Sequence, residues 1–222
     1  MKHKIGILSD THSLLRPEVR SILEECDYIL HGGDIASKEI YEEILSLGEA
    51  VFVRGNADKD WAESIPKDLT VTIGGFRFYM VHNIKHAKAD LSDVDFVVYG
   101  HSHKYENKKD GGPVYLNPGS CGPRRFTQPV TMMVMTIDEE KGTYDIEKKD
   151  FSPILKKGTP YPATKEMDKL IKAIVKDMNA NRTVEQIALR NRVEEDLVKE
   201  ILQIYTTHPG IDIDGILNRM KE

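Results

Sequence analysis

Seven side chains capable of binding metal ions occur between residues 10 and 103. They are two carboxylates, one carboxamide and four imidazoles: Asp10, His12, Asp34, Asn56, His82, His101 and His103. They come where five apolar, strand-like runs end, and in open α/β sheets such strand ends border the crevice in which ligands bind. A single His at such a place is more often structural, but this many coincidences favour one shared site. Imidazole with carboxylate, and no thiolate in these motifs, suits Mn, Fe, Zn, Ni or Co better than Mg or Ca.

Seven candidate ligands exceed what one metal ion needs. With one Asp shared, they form two sets of four, which is the composition expected for two ions roughly 3.5–4 Å apart in a phosphoryl-transfer site. Glycines also adjoin Asp34, Asn56 and His101, and a turn packed against a metal or phosphate needs such close backbone approach. The sequence therefore predicts a dinuclear metal centre.

The elements that must position these groups alternate between strand and helix at the start of the chain. Apolar residues at helical spacing predict helices over 16–26 and 37–47. The predicted strands are 4–9, 28–31, 50–53, 69–73, 76–81, 95–99, 114–116, 130–137 and 143–149. Short turns such as Gly74-Gly75 predict an antiparallel arrangement beyond residue 69. The expected fold is therefore α/β, with two sheets packed face to face and helices outside.

A Pro-rich stretch near residues 151–162 separates this region from an all-α tail. We place a first domain at 1–155, a linker at 156–163 and a helical domain at 164–222. Within the tail, Thr183 and Gln186 have the spacing of a capping box for its middle helix.

Composition bounds the function classes. The 222 residues carry 31 Lys and Arg against 36 Asp and Glu, a formal net charge of -5, which argues against broad binding to nucleic-acid phosphates. No apolar stretch approaches the roughly 20 residues that cross a bilayer, so no membrane association is expected. Only two Cys are present, Cys26 and Cys121, and no export signal is visible. The expected location is the cytoplasm.

Five spaced motifs together resemble those of the calcineurin-like metallophosphoesterases. They are Asp10-x-His12, Gly33-Asp34, Gly55-Asn56-x-Asp58, His82 and Gly100-His101-x-His103. The small bacterial and archaeal phosphodiesterase branch is the most similar, because Asn117-Pro118-Gly119-Ser120 follows the next strand. The resemblance covers about residues 1–155. It implies a metallophosphoesterase catalytic domain there, folded as a four-layer α/β/β/α sandwich with a dinuclear site at its rim.

The resemblance also implies roles for the seven ligands. One ion would be held by Asp10, His12, Asp34 and His103, and the other by Asp34, Asn56, His82 and His101. Asp34 would bridge two divalent transition-metal ions, with Mn favoured over Fe, Zn, Ni or Co. A metal-bridging hydroxide would attack phosphorus in line. Asp34, Asn56 and His101 are the candidate catalytic residues.

The implied activity is hydrolysis of a small phosphodiester or nucleotide-type substrate. Two alternatives stay open: a phosphomonoesterase or nucleotide phosphatase, and a catalytically weak interaction scaffold whose tail binds a protein or DNA. Many relatives have a proton-donating His after the motif Asn, where this chain has Ala57. The general acid is thus unassigned, and we expect a preference for activated leaving groups.

Four further residues are candidates for supporting roles. Asp58 is expected to hydrogen-bond an Asn or His ligand, and Arg124 and Arg125 are candidate substrate contacts because a guanidinium can grip two phosphate oxygens. His31 fits either buried structure or support of a ligand.

The tail has the apolar spacing of a helix-turn-helix. However, its would-be recognition helix contains Glu194, Glu195, Asp196 and Glu200 against one Lys199. A helix entering a groove between phosphates should be basic. The charge pattern therefore argues against DNA binding and favours packing on the catalytic domain or a homo-oligomer.

Overall fold

The computed structural model describes residues 1–87, 90–109, 111–123, 129–151, 164–191, 193–208 and 210–220, with only the backbone of 164–166. The chain divides into two compact units, Met1–Phe151 and Ser152–Glu222, and each is described by itself. The predicted linker and the candidate substrate contacts Arg124 and Arg125 lie outside the described residues.

The first unit contains two five-stranded sheets, two α-helices and two short 3-10 turns among its described residues. The strands are β1 (Lys2–Leu8), β2 (Tyr28–His31), β3 (Glu49–Phe52), β4 (Asp68–Ile73), β5 (Phe76–Val81), β6 (Phe96–Val98), β7 (Tyr105–Lys109), β8 (Val114–Pro118), β9 (Thr131–Asp138) and β10 (Thr143–Asp150). The helices are α1 (Pro17–Leu23) and α2 (Lys38–Leu47), and the 3-10 turns are Asp60–Ala62 and Ile84–His86.

The first sheet has the order β10-β9-β1-β2-β3. Strands β1, β2 and β3 are parallel, so their carboxyl ends lie at one edge, while β9 runs antiparallel to both β1 and β10. Proline at the first position of α1 supplies a favourable start. The Ser37 hydroxyl accepts a hydrogen bond from the Ile40 N–H at 3.4 Å and caps α2. These βαβ crossovers bring the first three candidate loops to the same edge.

The second sheet has the order β4-β5-β6-β8-β7 and is mixed. The expectation of an antiparallel remainder is wrong for its centre, because β5, β6 and β8 are parallel neighbours. Residues 82–95 give a connection long enough for the parallel pairing of β5 and β6. Between β6 and β8 the chain returns through β7, which is antiparallel to β8 at the edge of the same sheet. The edge strand β7 was not predicted, since its sequence Tyr-Glu-Asn-Lys-Lys is polar and largely exposed.

The main core lies between the two sheets. Alternate residues of β1, Ile5 and Ile7, belong to the same buried cluster as Phe78, Phe96 and Leu116 of the second sheet. The opposite face of the first sheet packs on α1 and α2 through a separate cluster. The outer face of the second sheet is covered by apolar residues of the connection after β5: Ile84, Ala87, Leu91 and Val94. The expected fold class, two packed sheets with flanking helices and a helical C-terminal part, is confirmed.

The second unit is a set of helices: α3 (Thr164–Asn179), α4 (Val184–Asn191), α5 (Glu195–Thr207) and α6 (Ile213–Arg219). The predicted capping box is present, since the Gln186 N–H donates to Thr183 Oγ1 and the Thr183 N–H donates to Gln186 Oε1, each at 3.2 Å. The short helix α6, capped by Asp212, was not predicted. Within the described part of the chain, no helix has the length and apolarity to cross a bilayer.

Candidate metal centre

The loops that leave β1, β2 and β6 have unusual backbone conformations. Five of the seven candidate ligands have positive φ: Asp10 (56°), His12 (43°), Asp34 (56°), His101 (65°) and His103 (55°). Non-glycine residues rarely adopt this region, and each instance costs on the order of 1–3 kcal/mol. Such strain persists only where the surrounding structure imposes it, and it clusters at functional sites. The strain therefore marks these loops as a candidate site.

One group of ligand atoms comes from Asp10, His12 and His103, whose nearest donor atoms lie within 4.8 Å of one another. The Nε2 atoms of His12 and His103 are 3.3 Å apart, and His103 Nε2 is 3.1 Å from Asp10 Oδ1. When both imidazoles are unprotonated at Nε2, their lone pairs converge beside a carboxylate. This arrangement suits a divalent cation.

A second group adjoins the first. His82 Nε2 lies 3.4 Å from Asp34 Oδ1 and 3.2 Å from Asn56 Oδ1, which is itself 3.0 Å from His101 Nδ1. The other Asp34 oxygen, Oδ2, is 3.9 Å from His12 Nε2. The two oxygens of Asp34 thus face the two groups.

All seven predicted ligands are therefore brought to one edge. Asp10 is close to both groups. Besides its contact with His12 and His103, a carboxylate oxygen of Asp10 lies within 4.8 Å of ligand atoms of Asp34 and His82.

Two buried polar atoms at the centre have no hydrogen-bond partner among the described residues, Asp10 Oδ1 and His103 Nδ1. The other Asp10 oxygen, Oδ2, accepts from the Ser9 hydroxyl at 2.6 Å and from the His101 N–H at 3.1 Å. This leaves Oδ1 of a fully buried carboxylate facing imidazoles. Buried charges are normally paired or coordinate metals, so the donor set fits a metal ion.

Hydrogen bonds keep the carboxylate of Asp34 ionised. Burial alone would raise the pKa of Asp34, but hydrogen bonds from His82 and from the Ala57 N–H outweigh it and lower that pKa to about 2. For His82, burial lowers the pKa, and the Asp34 carboxylate more than compensates, so the pKa of His82 is raised. Asp34 is thus an anion throughout the neutral range, as a metal ligand must be.

Asp58 holds two of the loops together through their backbones. Its carboxylate accepts N–H bonds from Asp34 at 3.1 Å, Ala36 at 2.7 Å and Gly55 at 2.7 Å. The predicted hydrogen bond between Asp58 and an Asn or His ligand is absent among the described residues, and backbone amides take its place. Asp58 is 3% exposed. Its bonds to the amides of Asp34 and Gly55 hold Asp34, and Asn56 next to Gly55, in place.

We expect Asp58→Ala to destabilise the protein by about 3 kcal/mol or more, because it leaves three amides without their acceptor and each orphaned buried group costs about 1–3 kcal/mol. Bound metal should fall with it. Chemical denaturation and elemental analysis of the purified variant measure both. The exposed Asp60 is the control, and Asp60→Ala should change neither. An Asp58→Ala protein with wild-type stability would contradict this role.

His31 connects the loops that follow β1 and β2. Its Nδ1 accepts from the Gly33 N–H at 3.1 Å, so Nε2–H donates to Thr11 Oγ1 at 3.1 Å. Complete burial is the main cause that lowers the pKa of His31 to about 4. Of its two readings, the structure therefore favours support of the ligand loops by a neutral imidazole.

Asn117 and Ser120 also hold the ligand loops in place, although the sequence assigned neither residue a role of its own. Asn117 Nδ2 donates to the Gly100 carbonyl at 2.9 Å and to Ser102 Oγ at 3.0 Å. The Ser120 hydroxyl donates to the Asp10 carbonyl at 2.8 Å. The only sequence signal for them was the Asn117–Ser120 motif after the strand.

Glycine is required where the loops touch. A β-carbon on Gly55 would overlap the backbone N and Oδ1 of Asp34, and one on Gly100 would overlap Ser9 Oγ. These positions agree with the close approach expected from the sequence.

A cavity of about 860 Å³ opens beside the second group. Asn56, His82 and His101 line one part of it, and Lys67 and His86 line another. Its volume lies in the range of about 300–1,000 Å³ that is typical of small-molecule sites.

Comparisons with known proteins agree with this geometry. The model of the calcineurin-like phosphoesterase superfamily domain matches residues 3–140. A protein of Methanothermobacter thermautotrophicus named as a probable metallophosphoesterase is 30% identical over 151 residues, which are 62% of this chain and 87% of that protein. A protein of Methanocaldococcus jannaschii named as a phosphodiesterase is 26% identical over 174 residues, 68% of this chain and 98% of its own length. Among solved structures, vacuolar protein sorting 29 of Cryptosporidium parvum superposes with a TM-score of 0.54 at 20% identity, covering 68% of this chain and 99% of that one.

Proposed function

The chain belongs to the calcineurin-like phosphoesterase superfamily, and on that basis we propose that it is a phosphodiesterase that requires two divalent transition-metal ions, with Mn²⁺ as the favoured ion. The observation that carries the proposal is the buried Asp10 Oδ1, which accepts no hydrogen bond from the described residues and faces the two converging imidazoles of His12 and His103. The similarity to a protein named as a phosphodiesterase supports the choice of diester over monoester.

Asp10, His12, Asp34 and His103 would hold one ion, and Asp34, Asn56, His82 and His101 the other. When bound, the pair would supply a nucleophile from water at neutral pH and neutralise charge that builds up on the phosphoryl oxygens. The protein's own contribution is positional. Asp58, His31 and Asn117 fix the ligand loops through hydrogen bonds, so the donor atoms need little rearrangement on binding.

The protein offers no proton donor at residue 57. Ala57 uses its N–H to bond Asp34 Oδ1 at 2.7 Å, and its methyl group cannot protonate a leaving oxygen. We therefore propose that the enzyme acts best on esters whose leaving groups depart without protonation. His86 lines the cavity but is not needed for this behaviour.

Purified protein supplied with Mn²⁺ is expected to hydrolyse bis(p-nitrophenyl) phosphate faster than p-nitrophenyl phosphate, and EDTA should abolish both activities. Replacing nitrophenyl by phenyl should slow the diester reaction by a factor on the order of 100 or more, because no general acid assists departure. Absorbance at the nitrophenolate band and chromatography of phenol measure these rates. Turnover that persists in EDTA would contradict metal dependence. Absence of both turnover and bound metal would favour the interaction scaffold.

We assign catalysis to residues 1–155 and treat 164–222 as a separate helical domain joined through 156–163. The family match ends at residue 140 and therefore does not include the tail, whose role stays a prediction. Homo-oligomerisation and the cytoplasmic location also stay predictions.

A further inference from the structure

The cavity beside the metal centre has a cationic wall. Arg54, Lys67 and Lys85 line it together with Asn56 and His82 of the second ligand group. Two of these cations are close in sequence to metal-ligand candidates. Arg54 lies two residues before Asn56, and Lys85 lies three residues after His82.

Lys67 is brought to the same place by strand pairing. It directly precedes β4, whose first residue, Asp68, is paired with Val81 at the end of β5. This register sets Lys67 beside the strand end that delivers His82. The segment is anchored further, because the Arg54 N–H donates to the Pro66 carbonyl at 2.8 Å.

Among the described residues, three cationic side chains line the cavity against two carboxylates, those of Asp58 and Asp68, so positive charge is in excess. Asp58 is turned towards the protein, where it accepts hydrogen bonds from three backbone amides. The guanidinium of Arg54 is bound to the carbonyl of Asp58 at 3.3 Å, and a carbonyl fixes its orientation without cancelling its charge.

From this wall we infer that the enzyme selects phosphate esters that carry a second anionic group. The inference rests on the proposed function and adds the substrate class to it. The reacting phosphate would lie at Asn56, His82 and His101, and the second anion would lie against Lys67 and Lys85. A volume of about 860 Å³ has room for a nucleotide-sized molecule. Ammonium groups suit such a role because they act as point charges that tolerate different anion geometries.

The test compares binding of thymidine 3′,5′-bisphosphate with thymidine 5′-monophosphate by calorimetry, with and without Mn²⁺. We expect the bisphosphate to bind about tenfold more tightly, as two solvent-accessible charge contacts allow. The ratio should approach one at ~1 M salt, where the screening length is about 3 Å. Because binding is measured without turnover, a protein that fails to hydrolyse the nitrophenyl diester can still support or overturn the inference.

The double variant Lys67→Ala/Lys85→Ala should bring the ratio of the two dissociation constants close to one. Its matched control is Lys2→Ala/Lys141→Ala, which removes the same charge at the opposite end of the first sheet, near Asp138. The control should keep the wild-type ratio. Equal affinity for the two ligands in the wild-type protein would overturn the inference. So would a preference for the bisphosphate that survives in the Lys67→Ala/Lys85→Ala variant.

Discussion

Asp34→Asn is expected to lose more than about 100-fold in diesterase activity and to lower the amount of bound metal. Its two carboxylate oxygens face both ligand groups, at 3.4 Å from His82 Nε2 and 3.9 Å from His12 Nε2, so one substitution weakens both sites. Substituting a residue that only hydrogen-bonds a metal ligand typically lowers metal affinity or activity 10- to 100-fold. Substituting a ligand itself should lower them further. Steady-state kinetics and elemental analysis are the measurements.

The Asn side chain can still accept the hydrogen bond that Ala57 N–H donates to Oδ1, so the variant removes charge with little change in shape. Asp60→Asn makes the same change at an exposed position two residues after Asp58 and should behave as wild type. Wild-type metal content in Asp34→Asn would refute the bridging role.

Gly55→Ala is expected to remove most bound metal and activity through one methyl group. That methyl would overlap the backbone N and Oδ1 of Asp34, and backbone cannot move aside cheaply. The loops of β2 and β3 must then separate, which breaks the bond between the Gly55 N–H and Asp58. We expect a lower unfolding temperature together with weaker metal binding, measured by calorimetry and metal titration.

Gly112→Ala is the matched control, because a β-carbon there meets nothing within 4 Å. It should leave stability, metal content and activity unchanged. If Gly55→Ala binds metal as tightly as Gly112→Ala does, the contact between the two loops does not matter for the centre.

The strands that carry ligands were predictable because their signals are local. Runs such as 28–31 and 76–81 are bounded by Gly or polar residues, and β2 and β5 occupy those ranges. A parallel arrangement of β5, β6 and β8 was not predictable in the same way. It depends on which strands meet across connections that contain no long helix, and a polar edge strand such as β7 has no apolar periodicity to reveal it.

The convergence of ligands was accessible from sequence because the same rule places every parallel strand end at one edge. The supporting contacts were not. The sequence pointed to Asp58 as a partner for a ligand side chain, but it accepts from two amides of the loop after β2 and one amide of its own loop. Likewise, Lys67 carries no motif and lies beside His82 only through the β4–β5 register. Such contacts depend on loop geometry, which sequence spacing does not encode.

The ligands come from both sheets: Asp10, Asp34 and Asn56 follow strands of the first, while His82 and His101 follow strands of the second. An ion bound there would add coordination bonds between two layers that hydrogen bonds already join at that edge, such as the bond from the His101 N–H to Asp10 Oδ2. Ligation to the native state adds free energy of RT ln(1 + [L]/Kd) to its resistance to unfolding. The abundance of intact protein in a cell would then follow the supply of free transition metal, and a starved cell would lose the protein itself along with its activity.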